Sequence, residues 1–144
     1  MKPVTAAGFS VNLHLLPFPD GSPMRALVVD DSKTTRMIIG RILREIGFEV
    51  TEAANGQEAL AKLGEIGSAD LALVDWNMPE MSGLDFVKAV RADPAHANLK
   101  LMMVTTESEA EQVTTALDAG ANEYAMKPFT KEVIQEKLAL LGIG

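Results

Sequence analysis

From Arg25 onward, short apolar runs alternate with longer stretches whose apolar residues recur at helical spacing, and this alternation most constrains the fold. A period of 3.6 residues predicts amphipathic helices, whereas short apolar runs bounded by polar residues predict buried strands. Strands that are apolar on both faces are typical of a parallel sheet covered by helices on both sides. The pattern therefore predicts an α/β protein built from five strand–helix units in series.

The predicted strands and helices follow one another along the chain. The strands cover residues 26–29, 48–52, 71–74, 101–104 and 122–126. The helices cover residues 33–46, about 56–63 and 83–92, and two further stretches that begin after the caps Ser108 and Thr130. Right-handed crossovers place the carboxyl ends of all parallel strands at one edge. We therefore expect a (βα)5 flavodoxin-like, doubly wound parallel five-stranded sheet of order 2-1-3-4-5, in which strands 1 and 3 are neighbours.

Polar residues follow the strands at this common edge. They are Asp30 and Asp31 after strand 1, Asp75 after strand 3, Thr105 after strand 4 and Lys127 after strand 5. Three carboxylates in one small site repel one another unless a cation is present. Mg²⁺ suits a few oxygen ligands and keeps positions open for water and phosphate. The sequence therefore predicts a magnesium site, with the backbone carbonyl of Asn77 as a further ligand.

A carboxylate at such a site can attack a phosphoryl donor and form an acyl phosphate. Asp75 is the best candidate because it stands alone on its strand, which leaves Asp30 and Asp31 to hold the metal. Lys127 and Thr105 have the right chemistry to stabilise the phosphoryl oxygens, as an ammonium and a hydroxyl donor.

Composition excludes several other classes of function. The 144 residues include no cysteine, which excludes disulfide frameworks, thiol catalysis and cysteine-ligated zinc. A net charge of −7 argues against DNA binding, which needs Lys and Arg to neutralise phosphates. No apolar run approaches the roughly 20 residues of a membrane span. We expect a cytoplasmic protein that does not insert into membranes.

Residues 1–23 differ from the patterned region, which covers residues 24–144. The segment contains four prolines and shows no sustained period, so we expect an N-terminal extension that is loop-like or weakly ordered. Two interpretations stay open. The extension packs on the body through Val11, Leu13, Leu15 and Leu16, or Met24 is the natural start of the protein.

Five sequence pieces in order carry a resemblance to a known family. They are Val29-Asp30-Asp31-Ser32, Leu73–Pro79 around Asp75, the later Gly83, Val104-Thr105-Thr106, and Tyr124–Thr130 around Lys127-Pro128. From about Met24 to Gly144 the chain resembles the receiver domain of two-component response regulators, and most of all the stand-alone chemotaxis regulators of the CheY type. Ser32 departs from many chemotaxis regulators, which carry a bulky apolar residue there.

The resemblance implies a role for each of these residues. Asp75 is expected to be the phosphoacceptor, and Asp30, Asp31 and the Asn77 carbonyl are expected to bind Mg²⁺ with it. Lys127 is expected to contact the phosphoryl group. Thr105 and Tyr124 are expected to be the switch residues, and the Lys127–Pro128 bond is expected to be cis. Simpler interpretations are helix capping for the aspartates, a strand-end hydroxyl for Thr105 and plain packing for Tyr124.

The implied function is a single-domain signalling switch. A histidine kinase donates the phosphoryl group in a Mg²⁺-dependent reaction, and a remodelled surface then binds a protein target such as the flagellar motor switch. Because no effector domain follows Gly144, we expect output through that surface. The alternative is a phosphorelay intermediate that passes phosphate to a histidine phosphotransfer domain. Enzymatic activity beyond self-catalysed transfer and dephosphorylation is not expected, because Asn77 cannot act as the second acid that aspartyl-phosphate phosphatases need.

Other side chains receive plainer expectations. Met102 and Met103 are expected to fill the core, and Trp76 is expected to be partly exposed near the site. The arginines of the first helix are expected to form a solvated face; they are Arg36, Arg41 and Arg44.

Overall fold

A computed structural model describes residues 5–6, 9–10, 24–76, 78, 81–106 and 111–143. The strands are β1 (Thr5–Ala6), β2 (Phe9–Ser10), β3 (Arg25–Val29), β4 (Glu49–Ala53), β5 (Leu71–Asp75), β6 (Lys100–Thr105) and β7 (Glu123–Met126). The α-helices are α1 (Lys33–Ile46), α2 (Gly56–Ile66), α3 (Gly83–Ala92), α4 (Val113–Ala119) and α5 (Lys131–Leu140).

Strands β3 to β7 form one parallel sheet in the order β4-β3-β5-β6-β7. Counted from β3, this is the predicted order 2-1-3-4-5, so the predicted fold class is confirmed. In the register, Val29 lies beside Val74, and Asp75 lies beside Val104 on the next strand. The ends of β3, β5 and β6 therefore lie level at one edge, and the residues after them share that edge.

Short polar side chains begin four of the five helices, because each supplies an oxygen to a backbone N–H that has no partner within the helix. Asn55 Oδ1 accepts from the Glu58 N–H at 2.8 Å, and Thr130 Oγ1 accepts from the Val133 N–H at 3.3 Å. Ser32 and Ser82 cap α1 and α3 in the same way. The predicted helix starts at Asn55, Ser82 and Thr130 are confirmed.

The predicted boundaries differ from the structure at the end of α2. The α4 helix is described from Val113, and its predicted start after the cap Ser108 lies outside the described residues. The α2 helix continues to Ile66, beyond the predicted end. In the extension, the short strands β1 and β2 pair antiparallel, which the sequence pattern did not indicate. The apolar residues Val11, Leu13, Leu15 and Leu16 lie outside the described residues.

The sheet separates two apolar layers. Alternate residues of the strands point to opposite faces, so Leu27 and Met103 pack with α2, α3 and α4, whereas Val28 and Met102 pack with α1 and α5. Met102 and Met103 are both fully buried, as predicted. The two layers hold the sheet rigid from both sides, which fixes the relative positions of its strand ends.

Gly83 lets α3 begin directly against the end of β5. Its N–H donates to the Trp76 carbonyl at 3.0 Å. A Cβ atom at this position would lie 2.5 Å from the Asp75 carbonyl oxygen and 2.9 Å from the Met103 methyl carbon. Because the first of these neighbours is backbone, a larger residue must displace the strand end that carries Asp75.

We expect Gly83→Ala to lower the free energy of unfolding by about 1–3 kcal/mol, the usual cost of overpacking a tight site. Gly64→Ala is the matched control, because a Cβ there would meet no described atom within 4 Å apart from its chain neighbours and its own helix backbone. That change should stabilise α2 by roughly 0.5–1 kcal/mol, the usual difference between Ala and Gly in a helix. Urea unfolding of both variants is the measurement, and equal effects would contradict the close approach at Gly83.

Candidate functional site

Asp30 and Asp31 lie in the turn between β3 and α1 and differ in exposure. Asp30 is 1% exposed, whereas Asp31 is exposed. The Ser32 N–H donates to Asp30 Oδ1 at 2.8 Å, which fixes the carboxylate within the turn. The Asp30 N–H donates to the Ala53 carbonyl on β4 at 3.1 Å. A hydrogen bond to β4 therefore fixes the Asp30 backbone, and a hydrogen bond from Ser32, just before α1, fixes its side chain.

Asp75 is the last residue of β5 and is 7% exposed. The ammonium of Lys127 lies 3.5 Å from Asp75 Oδ1 and 3.5 Å from Asp30 Oδ2. One cation therefore bridges two buried carboxylates that belong to different strands. This bridge partly offsets their mutual repulsion and leaves the exposed carboxylate of Asp31 unpaired with Lys127.

The surroundings raise the pKa of Asp75 from 3.8 to about 6. Burial is the largest cause, because it disfavours the charged form, and the negative charge of Asp30 adds to it. Lys127 lowers the pKa through its charge and its hydrogen bond, and Asp31 raises it. The favourable effect of Lys127 is therefore smaller than the combined effects of burial and the two neighbouring carboxylates on the pKa of Asp75.

A hard divalent cation fits this donor set. Asp30, Asp31 and Asp75 each offer an oxygen, and the three oxygens lie within 4.8 Å of one another. Carboxylate oxygens are the ligands that Mg²⁺ takes in proteins, and its charge would relieve the repulsion that raises the Asp75 pKa. The expected fourth ligand, the Asn77 carbonyl, lies outside the described residues.

Thr105 ends β6 at the same edge and is fully buried. Among the described residues, its Oγ1 atom has no hydrogen-bond partner. The Lys127 N–H donates to the Thr105 carbonyl at 2.7 Å, which joins the end of β6 to the turn after β7. In that turn the Lys127–Pro128 bond is cis, as predicted. A buried hydroxyl without a partner is costly, and it is available to a group that enters the site.

Tyr124 lies on the edge strand β7 and is half-buried against the α3 and α4 side of the core. The ammonium of Lys137 on α5 lies 4.3 Å from the centre of its ring. The same ammonium lies 3.3 Å from Glu123 Oε1. The Tyr124 side chain is therefore only partly exposed, and the Lys137 ammonium on α5 contacts its ring. Trp76 is half-buried beside the site, as expected.

The prediction that Arg36 belongs to a solvated face is wrong. Its side chain is 16% exposed, and Nη1 donates to the Asp30 carbonyl at 2.6 Å. Its Nε lies 3.5 Å from Glu52 Oε1 on β4. Arg41 is exposed, as expected, and Arg44 is exposed but lies 3.7 Å from Glu52. Helical periodicity places Arg36 on a polar face but carries no information about a partner on the strand.

Residues 26–139 match the family model described as the response regulator receiver domain. The chain belongs to this family. The predicted resemblance is therefore confirmed, and the matched residues include every described site residue: Asp30, Asp31, Asp75, Thr105, Tyr124 and Lys127. In this receiver domain the geometry brings Asp30, Asp31, Asp75 and Lys127 together at one edge of the sheet.

Relatives of this receiver domain include the chemotaxis protein CheY1 of Helicobacter pylori, which is 49% identical over 119 residues, 82% of this chain and 96% of the relative. The chemotaxis protein CheY homolog of Campylobacter jejuni is 47% identical over 123 residues, 84% of this chain and 95% of the relative. The chemotaxis protein CheY4 of Vibrio cholerae has a similar solved structure, with a TM-score of 0.75, 36% identity and coverage of 84% of this chain and 98% of that one.

Within the described part of this chain, no helix has the length and apolar character needed to cross a membrane.

The raised pKa of Asp75 predicts a pH-dependent stability difference in metal-free protein. Above pH 6 the folded protein holds a charged Asp75 in an unfavourable place, and Asp75→Asn removes that charge. Below pH 4 the carboxyl is neutral in both the folded and unfolded states. We therefore expect Asp75→Asn to raise the free energy of unfolding by up to about 3 kcal/mol at pH 8, with the gain lost as the pH falls from about 6 to about 4.

Urea unfolding at a series of pH values, in a chelator, measures this difference. Asp118→Asn is the control, because Asp118 is exposed on α4 and its replacement should have little effect at any of these pH values. A pH-independent effect of Asp75→Asn, or destabilisation at pH 8, would contradict the electrostatic account.

Proposed function

We propose that this receiver domain is a phosphorylation switch that accepts a phosphoryl group from a histidine kinase on Asp75 in a Mg²⁺-dependent reaction. The observation that carries the proposal is the placement of Asp75. Its carboxylate lies within 4.8 Å of two others that can hold a cation, and Lys127 lies 3.5 Å from it. A nucleophile, a cation site and a fixed ammonium at one point are what phosphoryl transfer requires, because its catalysis is mostly positioning and charge stabilisation.

In the proposed transfer, an oxygen of Asp75 forms a bond to phosphorus while the phosphorus–nitrogen bond of the donor phosphohistidine breaks. The electron pair of that bond leaves with the imidazole nitrogen, and the product is an aspartyl phosphate. When bound, Mg²⁺ supplies charge neutralisation for the phosphoryl oxygens. Asp30 and Asp31 would hold it together with Asp75. No other enzymatic activity is proposed, and dephosphorylation is hydrolysis of the same acyl phosphate.

Lys127 and Thr105 provide the groups that would contact the negatively charged phosphoryl group on Asp75. The Lys127 ammonium bridges Asp30 and Asp75 before transfer, and it can pair with a phosphoryl oxygen afterwards. The buried Thr105 hydroxyl has no hydrogen-bond partner among the described residues, so donating to a second phosphoryl oxygen would give it one. Both changes draw the ends of β6 and β7 towards Asp75.

Tyr124 is the proposed link between this site and a protein-binding surface. It lies on β7 two residues before Met126, which pairs in register with Thr105, and three residues before Lys127. A shift of Thr105 or Lys127 would therefore act on the strand segment that carries Tyr124. In the present arrangement Lys137 holds its ring from α5. Movement of Thr105 would open space for the ring, and the surface of α4, β7 and α5 would change with it.

We propose chemotaxis as the process that this switch serves, with a flagellar motor switch protein as its target in the cytoplasm. The proposal is supported by relatives named chemotaxis proteins, which are 47–49% identical and match this chain over nearly their whole length. The phosphorelay alternative is supported by no separate observation of this chain.

Incubation with Mg²⁺ and a small phosphodonor should add one phosphoryl group to the protein, measured by intact mass. The adduct should be absent with a chelator and absent in Asp75→Asn, because the nucleophile and the cation are both required. Asp118→Asn, which removes an exposed carboxylate on α4, should react like the wild type. An adduct that persists in Asp75→Asn would refute Asp75 as the phosphoacceptor.

Binding experiments with the phosphorylated protein also distinguish the chemotaxis proposal from the phosphorelay alternative. Immobilised motor switch protein should retain it more strongly than the unphosphorylated protein. Retention only by a histidine phosphotransfer domain, with transfer of the phosphoryl group, would favour the relay and contradict the chemotaxis proposal.

A further inference from the structure

Arg36 makes the shortest polar contact with the turn that carries two of the three carboxylates. Its Nη1 donates to the main-chain carbonyl of Asp30 at 2.6 Å. This is a charge-assisted hydrogen bond, and such bonds are about twice as strong as neutral ones. The guanidinium contacts the backbone of the acidic turn, and within the described residues no ion pair joins it to Asp30, Asp31 or Asp75.

Glu52 holds Arg36 in this position from the neighbouring strand. Its Oε1 lies 3.5 Å from Arg36 Nε, so one guanidinium spans the strand β4 and the turn after β3. Glu52 is paired in register with Val28, two residues before Asp30. The guanidinium of Arg36 therefore links β4 to the acidic turn that follows β3.

The carbonyl of Asp30 belongs to the peptide that joins Asp30 to Asp31. Fixing its direction fixes the orientation of that peptide and the position of the Asp31 Cα atom, so that only rotation about the Asp31 N–Cα bond stays open to the side-chain direction. The Ser32 N–H holds the Asp30 carboxylate at 2.8 Å. Arg36 and Ser32 together fix the peptide and one carboxylate, and within the described part of the chain the exposed Asp31 carboxylate accepts no such hydrogen bond.

We propose that Arg36 is a positioning residue for the cation site: its guanidinium, held by Glu52, orients the Asp30–Asp31 peptide so that both carboxylates face the ion. This inference rests on the proposed Mg²⁺-dependent function. Supporting partners of metal ligands typically change metal affinity by about 10–100-fold when they are removed.

The charge of Arg36 and its positioning role predict opposite effects of its removal on cation affinity. A binding titration can therefore distinguish them. If Arg36 acted only through its charge, its removal would make the acidic site more negative and would tighten cation binding. If Arg36 positions the acidic turn, its removal would loosen the ligands and weaken binding. The positioning role predicts that the second effect is the larger, because Glu52 already neutralises much of the arginine charge.

Calorimetric titration of the full chain with Mg²⁺ alone, with no phosphodonor, measures the effect. We expect Arg36→Met to weaken Mg²⁺ binding by about tenfold. Arg36→Lys keeps the charge, but a lysine ammonium cannot contact Glu52 and the Asp30 carbonyl with the geometry of the planar guanidinium. This variant should therefore recover only part of the affinity. Arg44→Met is the matched control, because Arg44 pairs with the same Glu52 and is 52% exposed. It removes the same charge without a hydrogen bond to Asp30 and should change the affinity less than twofold.

A second measurement tests positioning in the metal-free protein. The Ser32 amide proton should exchange with solvent faster in Arg36→Met than in Arg44→Met, because a loosened turn breaks its bond to Asp30 Oδ1 more often. Unaltered or tighter Mg²⁺ binding in Arg36→Met, or equal effects of Arg36→Met and Arg44→Met, would overturn the inference. If the wild type itself binds no Mg²⁺, the proposed function fails, and the Ser32 exchange rates alone then decide whether Arg36 positions the turn.

Discussion

Repulsion among three carboxylates at one edge of the sheet is the constraint on which the rest of the site depends. Asp30 and Asp75 are almost fully buried, and burial together with the charge of Asp30 raises the pKa of Asp75. Buried carboxylates are destabilising unless they are paired, and here the one ammonium of Lys127 serves two of them. In the proposed function, a divalent cation would offset this repulsion and so favour the charged form of Asp75.

The fold keeps this unfavourable cluster together through contacts outside it. Packing on both faces fixes the strand ends, and the absence of a Cβ at Gly83 lets α3 begin against the Asp75 carbonyl. Lys127 bridges two of the carboxylates, while its backbone N–H is bonded to the end of β6. Arg36 reaches the Asp30 carbonyl without entering the carboxylate cluster. In the proposed function, this rigidity would let a chemical change at the carboxylates act on the surface of α4, β7 and α5.

The sequence predicts well what depends on local pattern and on topology. Apolar runs and helical periodicity predicted the five-stranded sheet and its order, and the polar residues after each strand predicted which side chains meet. The end of α2 was placed too early, because the apolar spacing that carries the prediction fades before Gly67, where the helix stops. Arg36 was missed for a related reason. Its partners, Glu52 and the Asp30 carbonyl, are a residue on another strand and a backbone atom, and neither leaves a signal in helical spacing.

The most direct test of the central claim is the titration of the Asp75 carboxyl carbon, followed by NMR with and without Mg²⁺. The account predicts a pKa of about 6 in the metal-free protein, raised first by burial and then by the charge of Asp30. It predicts a clearly lower value with Mg²⁺, because a bound cation would favour the charged carboxylate. An ordinary carboxyl pKa for Asp75 without Mg²⁺, or no response to Mg²⁺, would contradict the account.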